Sequence, residues 1–394
     1  MRDVEALRGK HVVFLSWRDT RHPEGGGAEK YLEMVAAGLV ELGARVTIFT
    51  AAHPAAPPDE TVDGIRFVRR GGRFGVYLRG MLALLRGSLG TPDVVVDVLN
   101  GLPFWSRLVT RAPVVVLVHH VHREQWPVAV PGRLSSVGWW LESRLAPFVY
   151  RRDQYVAVSR ATRTELRSLG VRGPRIAVVH NGSERAVPVS GGKAPVPTLA
   201  VVGRLVPHKQ VEHAIDTALA LREELPGLRL HVVGSGWWEG VLHEYARTRE
   251  AGSTVVFEGH VDERRKHEIY ESSWVLLLPS IKEGWGLVIP EAGMHATPTV
   301  AYRSAGGTRE SVADGESGLL VDDQAGFEEA TRRLLTEPGL RTQLGVAARE
   351  RCMIFSWDQT RTSFALVLLA AMQGRRIDAQ DPEEGDLGRA RLAQ

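Results

Sequence analysis

The stretch Pro279-Ser280-Ile281-Lys282-Glu283-Gly284-Trp285-Gly286-Leu287-Val288-Ile289-Pro290-Glu291 decides the fold. It follows an apolar run, Trp274 to Leu278, that predicts a buried strand, and it leads into a predicted helix. Glu283 falls in the strand-end loop and Glu291 where the helix begins, so both carboxylates can face one hydroxyl-rich ligand. The structural alternative is that they stabilise the helix dipole. Gly284 and Gly286 leave room for a ligand, and the N–H groups of Gly286, Leu287 and Val288 can reach a phosphate.

A second charged motif lies upstream, after a predicted strand at Thr198 to Gly203. Arg204 and Lys209 are five residues apart across a turn that contains Pro207, so the turn can bring both cations to one point. A forked guanidinium beside an ammonium suits a diphosphate and neutralises the charge of a leaving phosphate. The alternative, without further context, is a pair of solvated surface charges.

The first half of the chain contains a glycine cluster between a strand and a helix. Gly25, Gly26 and Gly27 precede Ala28 and Glu29, after the strand predicted at His11 to Ser16. Glycines there let backbone N–H groups approach a ligand, and a helix start favours an anion. A tight strand–helix turn accounts for the cluster equally well.

The whole chain alternates Val-rich strands with helical segments, which is typical of parallel sheets covered on both faces. We predict two doubly wound α/β domains, with ligands bound at the carboxyl ends of their strands. The predicted limits are a first domain at 1–182, a linker at 183–197 and a second domain at 198–355. A last helix is predicted at 356–374, and 375–394 is a charged, disordered tail.

Composition excludes several classes of protein. The chain has 394 residues, of which 44% are hydrophobic and 24% charged, so it is neither disordered nor fibrous. One cysteine, Cys352, excludes a disulfide scaffold and a thiolate-held metal. Up to Gly182 there are 25 Lys and Arg against 16 Asp and Glu, a net charge of +9, whereas the remainder carries −6. Neither half is basic enough to indicate nucleic-acid binding.

Taken together, the motifs resemble family 4 of the glycosyltransferases, which are retaining, metal-independent enzymes with the GT-B fold and nucleotide-sugar donors. The family's Gly-Arg…Lys motif resembles Gly203, Arg204 and Lys209, and its seven-spaced glutamate pair resembles Glu283 and Glu291. The resemblance covers Val12 to Met372 and is closer in the second half than in the first. The other matching segments are Gly26–Glu29, Asn181–Gly182, Val233–Gly236, Phe257–Gly259, Gly306–Glu310 and Asp314–Val321.

This resemblance implies that 1–182 is an acceptor-binding and 198–355 a nucleotide-sugar-binding Rossmann-like domain, and that the two face a central cleft. It also implies that the helix at 356–374 crosses back to the first domain and that each matching residue has a role. Arg204 and Lys209 would bind the donor diphosphate, Glu283 the transferred sugar and Glu291 the ribose. The remaining donor-binding residues that it implies are Gly26 and Gly27 in the first domain and Gly234, His260, Gly286, Leu287 and Val288 in the second. The departing phosphate would take the proton of the attacking hydroxyl, so that the sugar's configuration is retained. No cofactor and no metal are expected.

Histidines follow a predicted strand at Val114 to Val118, where the family often has one close to the sugar and the acceptor. We rank His122 first for that role and His119 next, with His120 as a further acceptor-side candidate. A metal site on the three is the alternative, but no second ligand cluster is evident. Glu29 and Trp126 are also acceptor-side candidates, although Trp126 fits internal packing equally well.

Gly64 to Leu89 interleaves arginines with aromatic residues and leucines, a pattern that suits contact with anionic lipid. The alternative is an ordinary amphipathic helix packed on its own sheet. No secretory signal or membrane-spanning stretch is visible. We therefore expect a cytoplasmic protein, with peripheral contact at the inner face of the membrane as a second expectation.

We predict a retaining hexosyl transfer from a UDP- or GDP-sugar to an acceptor hydroxyl. The acceptor stays open among a glycan, a lipid-linked sugar, a phosphorylated sugar and a small natural product. Two rivals remain, a sugar-nucleotide epimerase on the same fold and a non-catalytic sugar-nucleotide-binding partner subunit. A nicotinamide dehydrogenase fits least, because the glycine spacing is not that of the dinucleotide fingerprint.

Overall fold

The computed structural model describes residues 4–130, 132–183, 189 and 191–377. The chain forms two compact units, one that extends to His180 and resumes at Asp358, and one from Asn181 to Trp357. The domain limits given above stay predictions. Residues 184–188 and 190 of the predicted linker and 378–394 of the predicted tail lie outside the described residues.

The first unit is built on an eight-stranded sheet. Its strands are β1 (His11–Leu15), β2 (Arg45–Thr50), β3 (Asp59–Val62), β4 (Ile65–Arg69), β5 (Val94–Leu99), β6 (Val114–Val118), β7 (Gln154–Ala157) and β8 (Ile176–Val178). Their order across the sheet is β3-β4-β2-β1-β5-β6-β7-β8. All neighbours are parallel except β3 and β4, which form an antiparallel edge. Every residue of β1, β5 and β6 is buried, which explains their almost entirely apolar sequences.

The segment from Gly64 to Leu89 is not one helix. The alternative to lipid contact, an ordinary amphipathic helix packed on its own sheet, is therefore wrong for the whole segment. Its first part is β4, and Arg69 at the end of that strand is buried rather than solvated. Its guanidinium pairs with Asp19 at 2.5 Å and with Glu60 at 2.7 Å. Because Asp19 lies 50 residues away in sequence, local periodicity gives no sign of this pairing.

Helices flank the first sheet. They are α1 (Gly27–Glu41), α2 (Gly75–Leu85), α3 (Trp126–Ala129), α4 (Arg133–Trp140), α5 (Ala146–Val149) and α6 (Arg160–Ser168), and a π-helical segment, Leu141–Leu145, joins α4 to α5. α1 begins in a capping box, in which the Gly26 N–H donates to the Glu29 carboxylate at 2.8 Å. The glycine cluster thus forms the start of a helix.

The second unit is built on a six-stranded sheet that is parallel throughout. Its strands are β9 (Thr198–Val202), β10 (Arg229–Val233), β11 (Val255–Gly259), β12 (Val275–Leu278), β13 (Thr299–Tyr302) and β14 (Gly318–Val321), in the order β11-β10-β9-β12-β13-β14. The strand order reverses between β9 and β12. In open α/β sheets ligands bind at the carboxyl ends of the strands beside such a reversal.

Helices pack on both faces of this sheet. They are α7 (Val211–Leu221), α8 (Glu239–Thr248), α9 (Glu263–Ser272), α10 (Val288–Gly293), α11 (Thr308–Ser311), α12 (Gln324–Thr336) and α13 (Pro338–Cys352). Two α/β units with parallel sheets confirm the predicted fold class. The edge strands β3, β8 and β14 and the inner strand β4 were not predicted; β3, for example, is mostly exposed and has no apolar run.

The last helix, α14 (Trp357–Met372), packs within the first unit. Its Phe364 ring lies 6.3 Å from the rings of Phe14 and Tyr31. Arg361 crosses α1 at Gly38, where a Cβ atom would lie 2.6 Å from the arginine Cγ. A glycine at that point of α1 therefore makes room for α14.

Candidate active site

Arg204 and Lys209 lie on the loop that leaves β9. Pro207–Lys209 forms a 3-10 turn, and the Lys209 N–H donates to the Val206 carbonyl at 3.0 Å. Gly203, Arg204 and Lys209 line a small hollow together with Pro279 and Ser280, which follow β12. Arg204 and Lys209 therefore line one hollow beside the strand-order reversal, and their role in binding a diphosphate stays a prediction.

The tip of Lys209 meets Glu283. Its Nζ lies 2.5 Å from Oε1 of the carboxylate, and the two side chains are 19% and 10% exposed. An ammonium has three N–H donors, so Lys209 can hold Glu283 and still donate to a phosphate oxygen. Residues 74 positions apart in sequence thus form one charged pair at the ends of β9 and β12.

The backbone of neighbouring strand ends holds Glu283 in place. Its N–H donates to the Ala305 carbonyl at 2.7 Å, and the Gly307 N–H donates to the Glu283 carbonyl at 3.0 Å. A Cβ atom on Gly307 would lie 2.2 Å from the Gly284 carbonyl oxygen. Gly307 is therefore required for this close approach, and its N–H group helps to hold the Glu283 backbone in place.

The loop after β10 is fitted against the Arg204 loop in the same way. A Cβ atom on Gly234 would lie 2.0 Å from the Gly203 carbonyl oxygen, and one on Gly236 would lie 2.2 Å from that of Leu205. The Leu205 N–H also donates to the Ser235 carbonyl at 2.9 Å. Gly234, predicted as a donor-binding residue, thus has a packing reason to be glycine.

Glu291 is buried on α10, between the sheet and α9. Tyr270 Oη donates to its Oε2 at 2.9 Å, and Lys266 Nζ lies 3.3 Å from the same oxygen. Burial and the neighbouring carboxylate raise the pKa of Tyr270 well above its usual value, so the phenol stays a donor. Sequence reasoning missed Tyr270 and Lys266, although their four-residue spacing places both on one helix face.

The remaining donor-side residues surround these loops. Gly286 has a φ of 85°, which favours glycine, and it precedes Leu287 and Val288 at the start of α10. His260 is exposed directly after β11. The donor-binding roles of these residues stay predictions.

In the first unit, Glu29 is engaged in holding its own loop. Its carboxylate accepts the Gly26 N–H of the capping box and the Arg18 Nε at 3.1 Å. Arg18 is buried, and sequence reasoning did not single it out. A Cβ atom on Gly25 would lie 2.9 Å from the Asp19 carbonyl oxygen. This geometry supports the tight-turn interpretation, with Gly27 as the first residue of α1.

The three histidines after β6 have different surroundings. His119 is buried, with its ring 5.3 Å from that of Tyr31, and none of the described residues bonds to its Nε2. Burial lowers the pKa of His119 to about 4, which keeps the ring neutral. His120 pairs with the Gln125 amide at 3.2 Å. Within the described residues no group of three or more His, Cys, Asp or Glu is arranged to hold a metal ion.

Both ring nitrogens of His122 already have partners. Nδ1 lies 3.0 Å from Glu142 Oε1, and Nε2 lies 2.7 Å from Asn100 Oδ1. Trp126 Nε1 donates to the other oxygen of Glu142 at 2.6 Å. A Cβ atom on Gly138 would lie 2.3 Å from the Trp126 ring, so this indole is packed inward. Glu142, which organises the group, was missed by sequence reasoning.

Two family models match the chain. "Glycosyltransferase Family 4" matches residues 25–185, and "Glycosyl transferases group 1" matches residues 184–351. The D-inositol 3-phosphate glycosyltransferase of Acidothermus cellulolyticus is 31% identical over 90% of this chain and 88% of its own length. The glycogen synthase of Mycobacterium tuberculosis is also 31% identical, over 67% of this chain, but the match spans only 64% of that protein's length.

A solved structure has a similar fold. Anabaena HepE in complex with UDP and glucose matches with a TM-score of 0.71 at 19% identity, over 91% of this chain and 98% of its own. At that identity the likeness concerns the fold alone.

Proposed function

The chain belongs to the group 1 glycosyltransferases of family 4, and on that premise we propose that it transfers a hexosyl unit from a nucleoside-diphosphate sugar to an acceptor hydroxyl. The observation that carries the proposal is the Lys209–Glu283 pair beside Arg204, at the strand-order reversal of the second unit. Cations for a diphosphate and a carboxylate for sugar hydroxyls are the two kinds of group that such a donor needs.

In the proposed reaction, the bond between sugar C1 and the β-phosphate oxygen breaks and a bond from C1 to the acceptor oxygen forms. The acceptor attacks from the face that the phosphate leaves, and its proton passes to the departing phosphate oxygen, so the configuration at C1 is retained. Arg204 and Lys209 neutralise the phosphate charge as it grows, and Glu283 holds hydroxyls of the transferred sugar. In this proposal Arg204 and Lys209 neutralise the negative charge of the donor diphosphate, so no metal ion is needed.

For the donor we propose a UDP- or GDP-sugar. The similar fold of HepE was solved with UDP and glucose, which supports UDP as the first donor to test. The relatives include a glycogen synthase and a D-inositol 3-phosphate glycosyltransferase, so a glucan and an inositol phosphate are the first acceptors to test.

The surroundings of the histidines bear on which of them contacts the sugar. The sequence ranks His122 first, but both of its ring nitrogens are engaged, whereas Nε2 of His119 has no partner among the described residues. His119 also lies against Tyr31 of α1, next to the glycine cluster. We therefore favour His119 for contact with the sugar, and we assign His122 to the hydrogen-bond network with Glu142 and Asn100.

Although the first part of Gly64–Leu89 forms β4, we still propose that the second part contacts lipid. Leu78 and Leu85 on α2 are exposed, as is Phe74 directly before it, and α2 carries no acidic residue, so it keeps the composition of a lipid-contacting helix. None of the helices in the described part of the chain is long and apolar enough to span a membrane. A cytoplasmic location with peripheral membrane contact stays a proposal.

The deciding experiment mixes purified protein with UDP-glucose or GDP-mannose and each acceptor, and follows nucleotide release and product by mass spectrometry, with EDTA present throughout. We expect an acceptor-dependent, α-linked product from an α-linked donor. An isomeric nucleotide sugar formed without acceptor would instead identify an epimerase. Donor binding without any turnover would identify a non-catalytic partner subunit.

A further inference from the structure

Residues 191–194 of the predicted linker are attached to the second unit. The Ala194 N–H donates to the Ser272 carbonyl, at the end of α9, at 2.9 Å, and the Trp274 indole N–H donates to the Ala194 carbonyl at 2.9 Å. Lys193 directly precedes this attached residue and carries the only charged side chain of the four. The backbone of the linker therefore brings a cation to the end of α9.

The Lys193 ammonium contacts three oxygens of the second unit. Its Nζ lies 2.8 Å from the Ser273 carbonyl oxygen, 3.2 Å from that of His295 and 2.5 Å from Thr297 Oγ1. Ser273 directly follows α9, whereas His295 and Thr297 follow α10. A cation at the carboxyl end of a helix also interacts favourably with the helix dipole. Lys193 therefore holds the ends of two neighbouring helices together.

The turn after α10 that Lys193 contacts is strained. Ala296 has a φ of 53°, in the left-handed region that residues with a Cβ atom rarely adopt. A Cβ atom on Gly345 of α13 would lie 2.3 Å from the Ala296 carbonyl oxygen, so the turn also packs closely against α13. A strained backbone persists only where its surroundings hold it. Lys193 contributes to this, because it bonds to the residues on both sides of Ala296.

Hydrogen bonds lead from this turn to Glu291. Thr297 Oγ1, which accepts from Lys193, donates to the Tyr270 carbonyl at 2.7 Å. The phenol of Tyr270 donates in turn to Glu291 Oε2 at 2.9 Å. Tyr270 lies on α9 and Glu291 on α10, so the spacing of the two helices determines whether the phenol reaches the carboxylate.

A lysine suits this position better than an arginine. The chain has six lysines against 43 arginines, so a lysine here departs from its usual choice of cation. The three donors of an ammonium leave one atom in three directions, whereas a guanidinium spreads its donors in one plane. Three oxygens within 3.2 Å of a single nitrogen match the ammonium.

We propose that Lys193 is a positioning residue for the donor ribose, because it fixes the ends of α9 and α10 and thereby keeps Tyr270 against Glu291. The proposal rests on the proposed nucleoside-diphosphate sugar donor and on the predicted contact of Glu291 with its ribose. The oxygens that Lys193 contacts belong to the helix ends, whereas Arg204 and Lys209 lie on the loop after β9. Binding of the phosphates should therefore not depend on Lys193.

The test is calorimetric titration of the full chain and of Lys193→Met. The ligands are UDP or GDP, whichever the wild type binds more tightly, its 2′-deoxy form, and inorganic pyrophosphate. Methionine keeps an unbranched side chain and removes the charge. We expect the preference for the ribonucleotide to fall about tenfold, because the carboxylate loses its orientation, while pyrophosphate binds as before. At saturating donor kcat should stay within about twofold, since the groups at the phosphate and the transferred sugar are unchanged.

Matched variants separate positioning from a general effect on folding. Lys10→Met makes the same change in the first unit, at a side chain that is 46% exposed and pairs with Asp93, and it should leave all three affinities unchanged. Added propylammonium should restore the ribonucleotide preference in Lys193→Ala, because it replaces the missing part of the side chain. It should have no effect on Lys193→Met, where methionine fills that space.

A double variant tests whether Lys193 acts through the phenol. In a Tyr270→Phe background, Lys193→Met should lower the ribonucleotide preference little further, because the group that it positions is already absent. Fully additive losses would overturn the proposal. If Lys193→Met does not fold, Lys193→Ala purified with propylammonium allows the same comparison before and after the amine is removed by dialysis.

Backbone hydrogen exchange, followed by mass spectrometry, reports on the helix ends without any ligand. Residues 288–297 should exchange faster in Lys193→Met than in the wild type, and unchanged exchange would contradict the proposed contact. An unchanged ribonucleotide preference in that variant would also overturn the role of Lys193, and it would leave the proposed function standing. A wild type that binds no nucleoside diphosphate would instead refute the proposed function, and with it any role of Lys193 at the ribose.

Discussion

At the scale of single residues, the pairing of Lys209 with Glu283 gives two separable expectations. Glu283→Ala should lower the transfer rate about 10²- to 10³-fold, because a group that holds the reacting sugar is lost, while UDP or GDP still binds. Activity assays and calorimetric titration with the nucleoside diphosphate measure the two effects. Unchanged turnover would remove Glu283 from the sugar site.

Lys209→Ala should instead weaken binding of the nucleoside diphosphate itself. A hydrogen bond to a charged group contributes about 1.5–3 kcal/mol, so we expect at least about a tenfold rise in Kd. Arg264, whose side chain is 81% exposed on α9, offers the control, and Arg264→Ala should leave Kd unchanged. Equal affinity in the Lys209 variant would contradict its place at the phosphate.

Tyr270 and Lys266 predict how strictly the ribose is selected. If Glu291 binds the ribose hydroxyls, Tyr270→Phe removes one partner that holds its Oε2 and leaves Lys266, so the carboxylate is no longer fixed for the diol. The preference for UDP over 2′-deoxy-UDP should fall about tenfold, whereas binding of inorganic pyrophosphate stays the same. A preserved ratio would mean that Tyr270 only supports packing.

His119 makes stability depend on pH. Its folded pKa is about 4 against 6.5 in an unfolded chain, since burial disfavours the charged ring more than Glu29 favours it. Between these values the unfolded state binds more protons, so the free energy of unfolding rises with pH and falls as acid is added. The free energy of unfolding, measured with denaturant from pH 4 to 6.5, should rise less steeply with pH in His119→Gln than in the wild type. The difference in slope should correspond to at most one proton. An unchanged slope would refute the buried neutral ring.

At the scale of elements, the strand-end loops depend on glycines that leave no room for a side chain. Gly234→Ala would place a methyl group 2.0 Å from the Gly203 carbonyl oxygen, at a φ of 125°. We expect destabilisation of about 1–3 kcal/mol or more in urea unfolding, and weaker donor binding, because the Arg204 loop must shift. Gly240, on α8, has nothing within 4 Å of its Cβ position. Gly240→Ala should be neutral or stabilising, and equal effects of the two changes would contradict the close loop contact.

At the scale of the whole molecule, donor binding should stabilise the protein without a metal. At a hundred times its Kd a ligand adds about 2.7 kcal/mol, which is readily visible in a thermal-shift experiment. We expect UDP or GDP to raise Tm equally with and without EDTA. A shift that EDTA abolishes would show that a cation assists the phosphate, in spite of the two cationic side chains.

Much of the fold was predictable, and so was the place of the charged loops in the second unit; particular residues show why the rest was not. The Val-rich central strands, Arg204, Lys209 and the two glutamates are recognisable from the local sequence. Arg69, by contrast, looked like a lipid-facing cation because its partner Asp19 is distant in sequence. Trp126 and Glu142 pack and pair within the first unit through a π-helical segment that no periodicity indicated.

The sequence by itself determined that two sheets of parallel strands form and which loops carry the charged groups, because strand hydrophobicity and the residues after each strand are local properties. Only the tertiary structure decided that Lys209 meets Glu283, that Tyr270 holds Glu291 and that His122 is already engaged while Nε2 of His119 has no partner among the described residues. These contacts join residues up to 74 positions apart. The spatial order of the strands in each sheet determines these contacts, and no single segment of the sequence encodes that order.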